Sequence, residues 1–147
     1  VPKDDRLAVF WFQKAADQGE ANAQFALGGM YKRGRGVPKD DRLAVFWFQK
    51  AADQGKADAQ FVLGAMYLFG EGAPKDARLA VFWFLKAAEQ GKADAQFALG
   101  FSYADGRGVP KNDRLAVYWY QQAADQGDAN AQAHLGLMYD EGRGVSR

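Results

Sequence analysis

Residues 1–19, "VPKDDRLAVFWFQKAADQG", return letter for letter at residues 37–55. A small enzyme gains little from an unchanged second copy of its catalytic constellation. A packing unit is different, because copies with the same neighbours need the same face. The period extends over the whole chain: blocks 1–36, 37–72, 73–108 and 109–144 align without a gap and leave only "VSR" over. Nineteen of the 36 columns are identical in all four blocks. Self-similarity at this period marks an array of stacked supersecondary units.

Each block reads as two helices. The first half has Asp4, Asp40, Asp76 or Asn112 at its start. The exchange to Asn keeps an oxygen that can accept from the first free amides, so this column is expected to be an N-cap. Ala8, Trp11, Phe12 and Ala15 follow at helical spacing and are expected to be core, with Gly19 just past the helix end. We call this the B helix. The second half places Ala23, Leu27, Met30 or Tyr31, and Gly34 on one face, and forms the A helix. Gly28 and its copies lie in mid-helix, where glycine costs ~1 kcal/mol relative to alanine. Repeating that cost implies close approach of a neighbouring helix. No block alternates like a strand. The expected fold is all-α, an α/α solenoid of about eight helices forming one domain over 1–147.

Composition narrows the function. Charge is balanced, with 19 basic and 18 acidic residues and a formal net charge of +1, and the signs are interspersed. That argues against a nucleic-acid partner. There is no cysteine, which removes disulfides, thiolate metal sites and cysteine nucleophiles. The apolar run "LAVFWFL" at 79–85 is far short of the ~20 residues that span a bilayer, so membrane insertion is not expected. The chain begins with valine and reads as a processed product or a piece of a longer repeat protein.

The second layer carries Ala57, Ala59, Gln60, Leu63, Gly64, Tyr67, Gly70 and Gly72. It continues through Ala80, Trp83, Lys86, Ala87, Ala88, Gln90 and Gly91. This pattern resembles the Sel-one-like repeat (SLR) family, relatives of the tetratricopeptide repeats. The resemblance implies a right-handed superhelix whose A helices line the concave side, acting as an adaptor or scaffold for a protein or peptide. Members of that family serve in membrane-protein quality control, bacterial signalling, bacterium–host contact and toxin neutralisation. A bacterial immunity protein is therefore an alternative. Some cysteine-rich relatives bind or hydrolyse β-lactams, an alternative disfavoured by the lack of cysteine.

Candidate chemistry is thin. Asp4–Asp5 and Asp40–Asp41 could be paired carboxylates, but the third copy is Asp76–Ala77, so capping plus the helix dipole explains them better. "GRGVPK" lacks the third glycine and the preceding strand of a phosphate loop. His134 is the sole histidine, expected to be packed or solvent-facing, so neither a His pair for a metal nor a triad can form. No cofactor, metal or catalytic residue is expected. Phe10, Phe46, Phe82 and Tyr118 point away from the core face, with partial burial against the adjacent B helix and loops expected.

Recognition is expected on the A helices. The first two blocks do not differ in the B-helix half, whereas the A-helix half differs at seven positions. Columns 22, 26, 29 and 33 fall on one helical face. In the first block these are Asn22, Ala26, Gly29 and Arg33, with Lys32 beside them. The second block has Asp58, Val62, Ala65, Leu68 and Phe69. Asp94, Ala98, Phe101 and Asp105 follow in the third, with Ala104 in column 32. The fourth presents Asn130, His134, Leu137, Asp140 and Glu141. This margin runs basic, apolar, acidic, so a peptide laid with the opposite order of charge is the expected ligand. Leu7, Trp11 and Phe12 at the start, and Leu135, Leu137 and Tyr139 at the end, lack a covering layer. Weak head-to-tail self-association is expected from them.

Overall fold

The structure is a computed structural model, and it describes residues 2–146. Eight α-helices and no strand occur among the described residues. They are α1 (Asp5–Asp17), α2 (Ala21–Arg33), α3 (Asp41–Asp53) and α4 (Ala57–Phe69), then α5 (Ala77–Glu89), α6 (Ala93–Asp105), α7 (Asp113–Asp125) and α8 (Ala129–Asp140). Odd-numbered helices are the B helices and even-numbered ones the A helices. The fold is the all-α solenoid of two-helix repeats expected from the period. The chain forms two compact units, one ending at Lys75 and the other starting at Asp76. Successive helices pack on one another within each.

Local chemistry sets the helix ends. The Leu7, Leu43, Leu79 and Leu115 amides donate to the side chains of Asp4, Asp40, Asp76 and Asn112 at 3.0–3.1 Å. Each such cap contributes about 1 kcal/mol. At the other end of α1, the Gly19 amide donates to the Ala16 carbonyl at 2.9 Å and the Glu20 amide to the Ala15 carbonyl at 3.1 Å. Gly19 has φ +92°, the left-handed conformation this closure requires.

Packing within each unit depends on a glycine. A Cβ built on Gly28 would stand 2.8 Å from the Phe48 ring, and one on Gly100 would stand 2.7 Å from the Tyr120 ring. Bare helix backbone is what lets the next B helix seat its aromatic ring. Phe48 and Tyr120 are in consequence almost fully buried. Leu27, Leu63 and Leu99, one column earlier, are fully buried too, each stabilising the fold by ~1.5–3 kcal/mol.

Two glutamine columns lock the layers, and the helical pattern alone gave them no role. Gln24 is buried; its amide donates to the Ala16 carbonyl at 3.3 Å, and its own oxygen accepts from Gln54 at 2.8 Å. Gln54 also donates to the Gly19 carbonyl at 2.9 Å. The second unit repeats the lock with Gln96, Gln126 and the Gly91 carbonyl. Both columns are glutamine in all four blocks.

The core expectation for the tryptophan column holds at Trp47 and is corrected at Trp11, one of the residues expected to lack a covering layer, while Phe12 packs against the core cluster. Trp11 is 63% exposed, whereas its copy Trp47 is 7% exposed. Trp47 belongs to a core cluster with Leu27 and Met30 of α2, and no described helix precedes α1 to give Trp11 such a partner. Phe12 is partly buried. The Phe10 row is more open than expected: Phe10, Phe46, Phe82 and Tyr118 are 48–52% exposed. Each ring stands edge-on to the tryptophan beside it, and Lys14, Lys50 and Lys86 lie 5.1 Å over the first three. Tyr118 also borders a recess with Ala88, Glu89 and Gly91 of the preceding layer.

Candidate functional site

Each unit carries its part of the varied face. In the first, Asn22 and Arg33 are exposed and Ala26 is partly buried. Gly29 is buried: the Arg33 guanidinium lies where a side chain on Gly29 would begin. Lys32 pairs with Glu71 at 3.3 Å. Asp58, Val62, Ala65 and Leu68 are partly buried, and Phe69 is 65% exposed.

In the second unit Asp94, Asp105, Asn130, Asp140 and Glu141 are exposed and Ala98 is partly buried. Phe101 and Leu137 are also exposed. Here the structure gathers five of the expected residues, Phe101, Asp105, His134, Leu137 and Glu141, around one recess of about 170 Å³. Ala104 and Met138 line it too, as do Tyr120 and Arg143, which the comparison of varied columns missed. Tyr120 announces itself in the sequence as a hydroxyl added to a column that is otherwise phenylalanine.

His134 is packed, one of the two outcomes expected of it. Its ring centroid is 5.0 Å from Phe97, 5.5 Å from Tyr120 and 6.2 Å from Phe101. Nδ1 lies 2.8 Å from the Asn130 carbonyl, which can only accept, so Nδ1 carries the proton and leaves Nε2 as acceptor in the neutral ring. Burial pushes the Tyr120 phenol up to about 12, so it stays a neutral hydroxyl. Arg143 is held by Asp113 through Nε at 3.3 Å and a terminal nitrogen at 3.0 Å, and reaches Glu141 at 3.3 Å. Its hydrogen bond keeps the Asp113 carboxyl below the ordinary value.

The first unit has the corresponding corner, of about 360 Å³, bounded by Phe12, Ala26, Met30, Arg33 and Arg35. Arg35 reaches Asp5 at 3.0 Å as Arg143 reaches Asp113. The pairing fails in the second layer, where Glu71 replaces the arginine and binds Lys32 instead. It fails in the third, where Ala77 replaces the aspartate and Arg107 turns to Asp105 at 3.5 Å. Among the described residues no group of three or more His, Asp or Glu could hold a metal, and no helix is long and apolar enough to cross a membrane.

The family model of the Sel1 repeat matches residues 1–20, 21–56, 57–92, 93–128 and 129–147. The chain belongs to the Sel1 repeat family. Among solved structures, this Sel1 chain is similar to c5321, a protective antigen present in uropathogenic Escherichia coli strains that displays an SLR fold. The identity is 42% and the TM-score 0.97, over 99% of this chain and 31% of that one. A Sel1 repeat protein from Oxalobacter formigenes matches at 43% identity and TM-score 0.90, over 99% of this chain and 59% of that one. Cysteine-rich protein B of Helicobacter pylori matches at 25% identity and TM-score 0.70, over 90% of this chain and 96% of that one. This Sel1 chain thus spans about a third and three-fifths of the first two relatives. No curated protein matches it.

Proposed function

We propose that this Sel1 repeat chain is a non-enzymatic binding module whose varied A-helix faces hold an extended or helical segment of a partner protein. One observation carries the reading. The columns that change most between copies stand open on α4, α6 and α8, as at Phe69, Phe101 and Leu137, while the constant columns and those that change only Asp to Asn or Phe to Tyr are spent on caps, ring-on-glycine packing and glutamine locks. Buried aromatic anchors dominate interfaces, so Phe69 and Phe101 supply most of the affinity. The first unit, with Arg33 exposed and Lys32 half shared with Glu71, favours acidic residues of the partner. The second, with Asp105, Asp140 and Glu141, favours basic ones.

The test is a selection of binders from a random peptide-display library against the purified chain. Selected peptides should lose at least tenfold in affinity on Phe69→Ala plus Phe101→Ala and be indifferent to Phe46→Ala plus Phe82→Ala. The opposite pattern moves the site to the Phe10 row and ends this reading.

A further inference from the structure

We propose that the recess between α6, α7 and α8 receives one arginine side chain of the bound segment. Its guanidinium lies between the Asp105 and Glu141 carboxylates and the Tyr120 hydroxyl, and its stem lies along Phe101 and Leu137. This deepens the binding reading above and rests on it.

Tyr120 is the first argument. In the other three layers the column is Phe12, Phe48 and Phe84, and both Phe48 and Phe84 are 2% exposed, so packing needs only a ring. Tyr120 is 1% exposed, yet it carries a hydroxyl and lines the recess. No described residue hydrogen-bonds that hydroxyl, and no side-chain oxygen or nitrogen shut off from solvent lacks a partner. The hydroxyl therefore opens on the recess. A buried polar group of this kind is satisfied by whatever enters. About 170 Å³ is far more than the roughly 10–15 Å³ that admits a single water.

Charge decides what enters. Arg143 is the cation on the wall, and Asp113, Glu141 and the Ala104 carbonyl already take its donors. An anion would have to displace them. Asp105 and Glu141 are instead exposed, each touched by a single arginine nitrogen at 3.3–3.5 Å. Three charge changes in these columns run the same way, from Lys32 and Arg33 to Asp105, Asp140 and Glu141. The chain supplies its own example of the chemistry: the Arg107 guanidinium sits 6.0 Å over the Phe101 ring while paired with Asp105. A planar guanidinium can stack on a ring and bridge carboxylates at once, which an ammonium cannot do.

Four blocked amino-acid amides serve as probes: N-acetyl-arginine methylamide and its lysine, norleucine and glutamate counterparts, titrated into the chain by heteronuclear NMR. The arginine probe should saturate at millimolar concentration, shifting Phe101, Tyr120, His134 and Leu137 and sparing Ala26 and Arg33 of the first unit. It should bind at least fivefold more tightly than the norleucine probe, with the lysine probe between them and no binding by glutamate. Tyr120→Phe, which keeps the ring that three other layers use, should weaken it about threefold. Asp105→Asn with Glu141→Gln should weaken it more than tenfold. Equal binding of arginine and norleucine, preference for glutamate, or no saturation at tens of millimolar overturns the assignment. The display test with Phe69 and Phe101 reads the partner face independently, so failure here leaves that reading distinguishable.

Discussion

The corner of the first unit around Phe12, Ala26, Arg33 and Arg35 and the recess of the second around Tyr120, His134, Glu141 and Arg143 are built from the same four columns. One column is constant in kind, Arg35 and Arg143, and in both places the arginine ties the end of an A helix to an aspartate of the B helix before it. The other three change a ring to a phenol, a methyl to an imidazole and a cation to an anion. The B helices that frame both places, α1 and α7, have matching bounds and caps; α8 ends one residue earlier than α2, at Asp140, and both A helices are followed by left-handed glycines. A repeat of this design separates its duties by column: one set fixes the layer, and another is free to take new chemistry without disturbing it.

The sharpest way to break that comparison uses the two identical stretches. Trp47→Ala should cost about 3–5 kcal/mol, the range for emptying a buried aromatic site. Trp11→Ala, at 63% exposure against 7%, should change stability by about 0.5–1 kcal/mol at most. Urea unfolding of the two variants checks this. Equal losses would mean that identical sequence has identical surroundings, against the structure.

The glycine column comes next. Gly28→Leu and Gly100→Leu must displace the Phe48 and Tyr120 rings, and each should cost ~1–3 kcal/mol or more through overpacking. Gly136 holds the same column in α8 and has nothing within 4 Å of a built Cβ. Gly136→Ala should therefore stabilise the chain by up to about 1 kcal/mol, the helix-propensity difference. Opposite signs in thermal melts at one column would confirm that the neighbouring ring, not the helix, demands glycine. Matching signs would refute it.

Most of the fold could be read from the chain because its period repeats every local signal four times. Asp4 and Asn112 share only a side-chain oxygen, and that substitution identified the cap that both provide. Mid-helix glycine likewise pointed to a close neighbour before the neighbour was known. The site was less legible. The varied columns include Phe101, His134 and Leu137, which line one recess, but the phenol at Tyr120 sits in a column assigned to the core and was overlooked. Gly29 shows the converse: its column varies, yet the guanidinium of Arg33, the last residue of the helix, folds back over it, which spacing cannot reveal. Trp11 likewise lies on the face that periodicity marks as apolar, but periodicity does not report what covers that face.

A smaller effect lies in the glutamine lock. Gln96→Ala removes the donor to the Ala88 carbonyl and the acceptor for Gln126, leaving buried groups unpaired at a cost of ~1–3 kcal/mol. Gln132 occupies the same column of α8 and is exposed, donating to the Ala124 carbonyl at 3.2 Å. Gln132→Ala should stay within about 0.5 kcal/mol. Hydrogen exchange at the Gly91–Ala95 amides should rise in the first variant alone. A rise in both would show that the lock does not depend on the second glutamine.

The smallest expected effect restores a pair that one layer has lost. In the first and fourth layers an arginine hydrogen bond lowers the pKa of Asp5 and of Asp113 below the ordinary 3.8. A carboxyl lowered on folding adds stability that is present above its unfolded value and is lost as pH falls through the lower folded one. The third layer has Arg107 in place but Ala77 opposite, so it has no such contribution to lose. Ala77→Asp should draw Arg107 off Asp105 and put a carboxylate in the first turn of α5, where the helix dipole also favours it. The gain should be a few tenths to about 1 kcal/mol at pH 6, as for an exposed pair near a helix start, and should fall under added salt. It should shrink at pH 2, well below the ordinary carboxyl value, as the folded carboxyl takes up its proton. Melting temperatures of wild type and Ala77→Asp at pH 6 and pH 2 decide the matter. A difference that is the same at both pH values would show that the charge of the added carboxylate contributes nothing, and the layers' ion pairs would then be ornament rather than part of the lock.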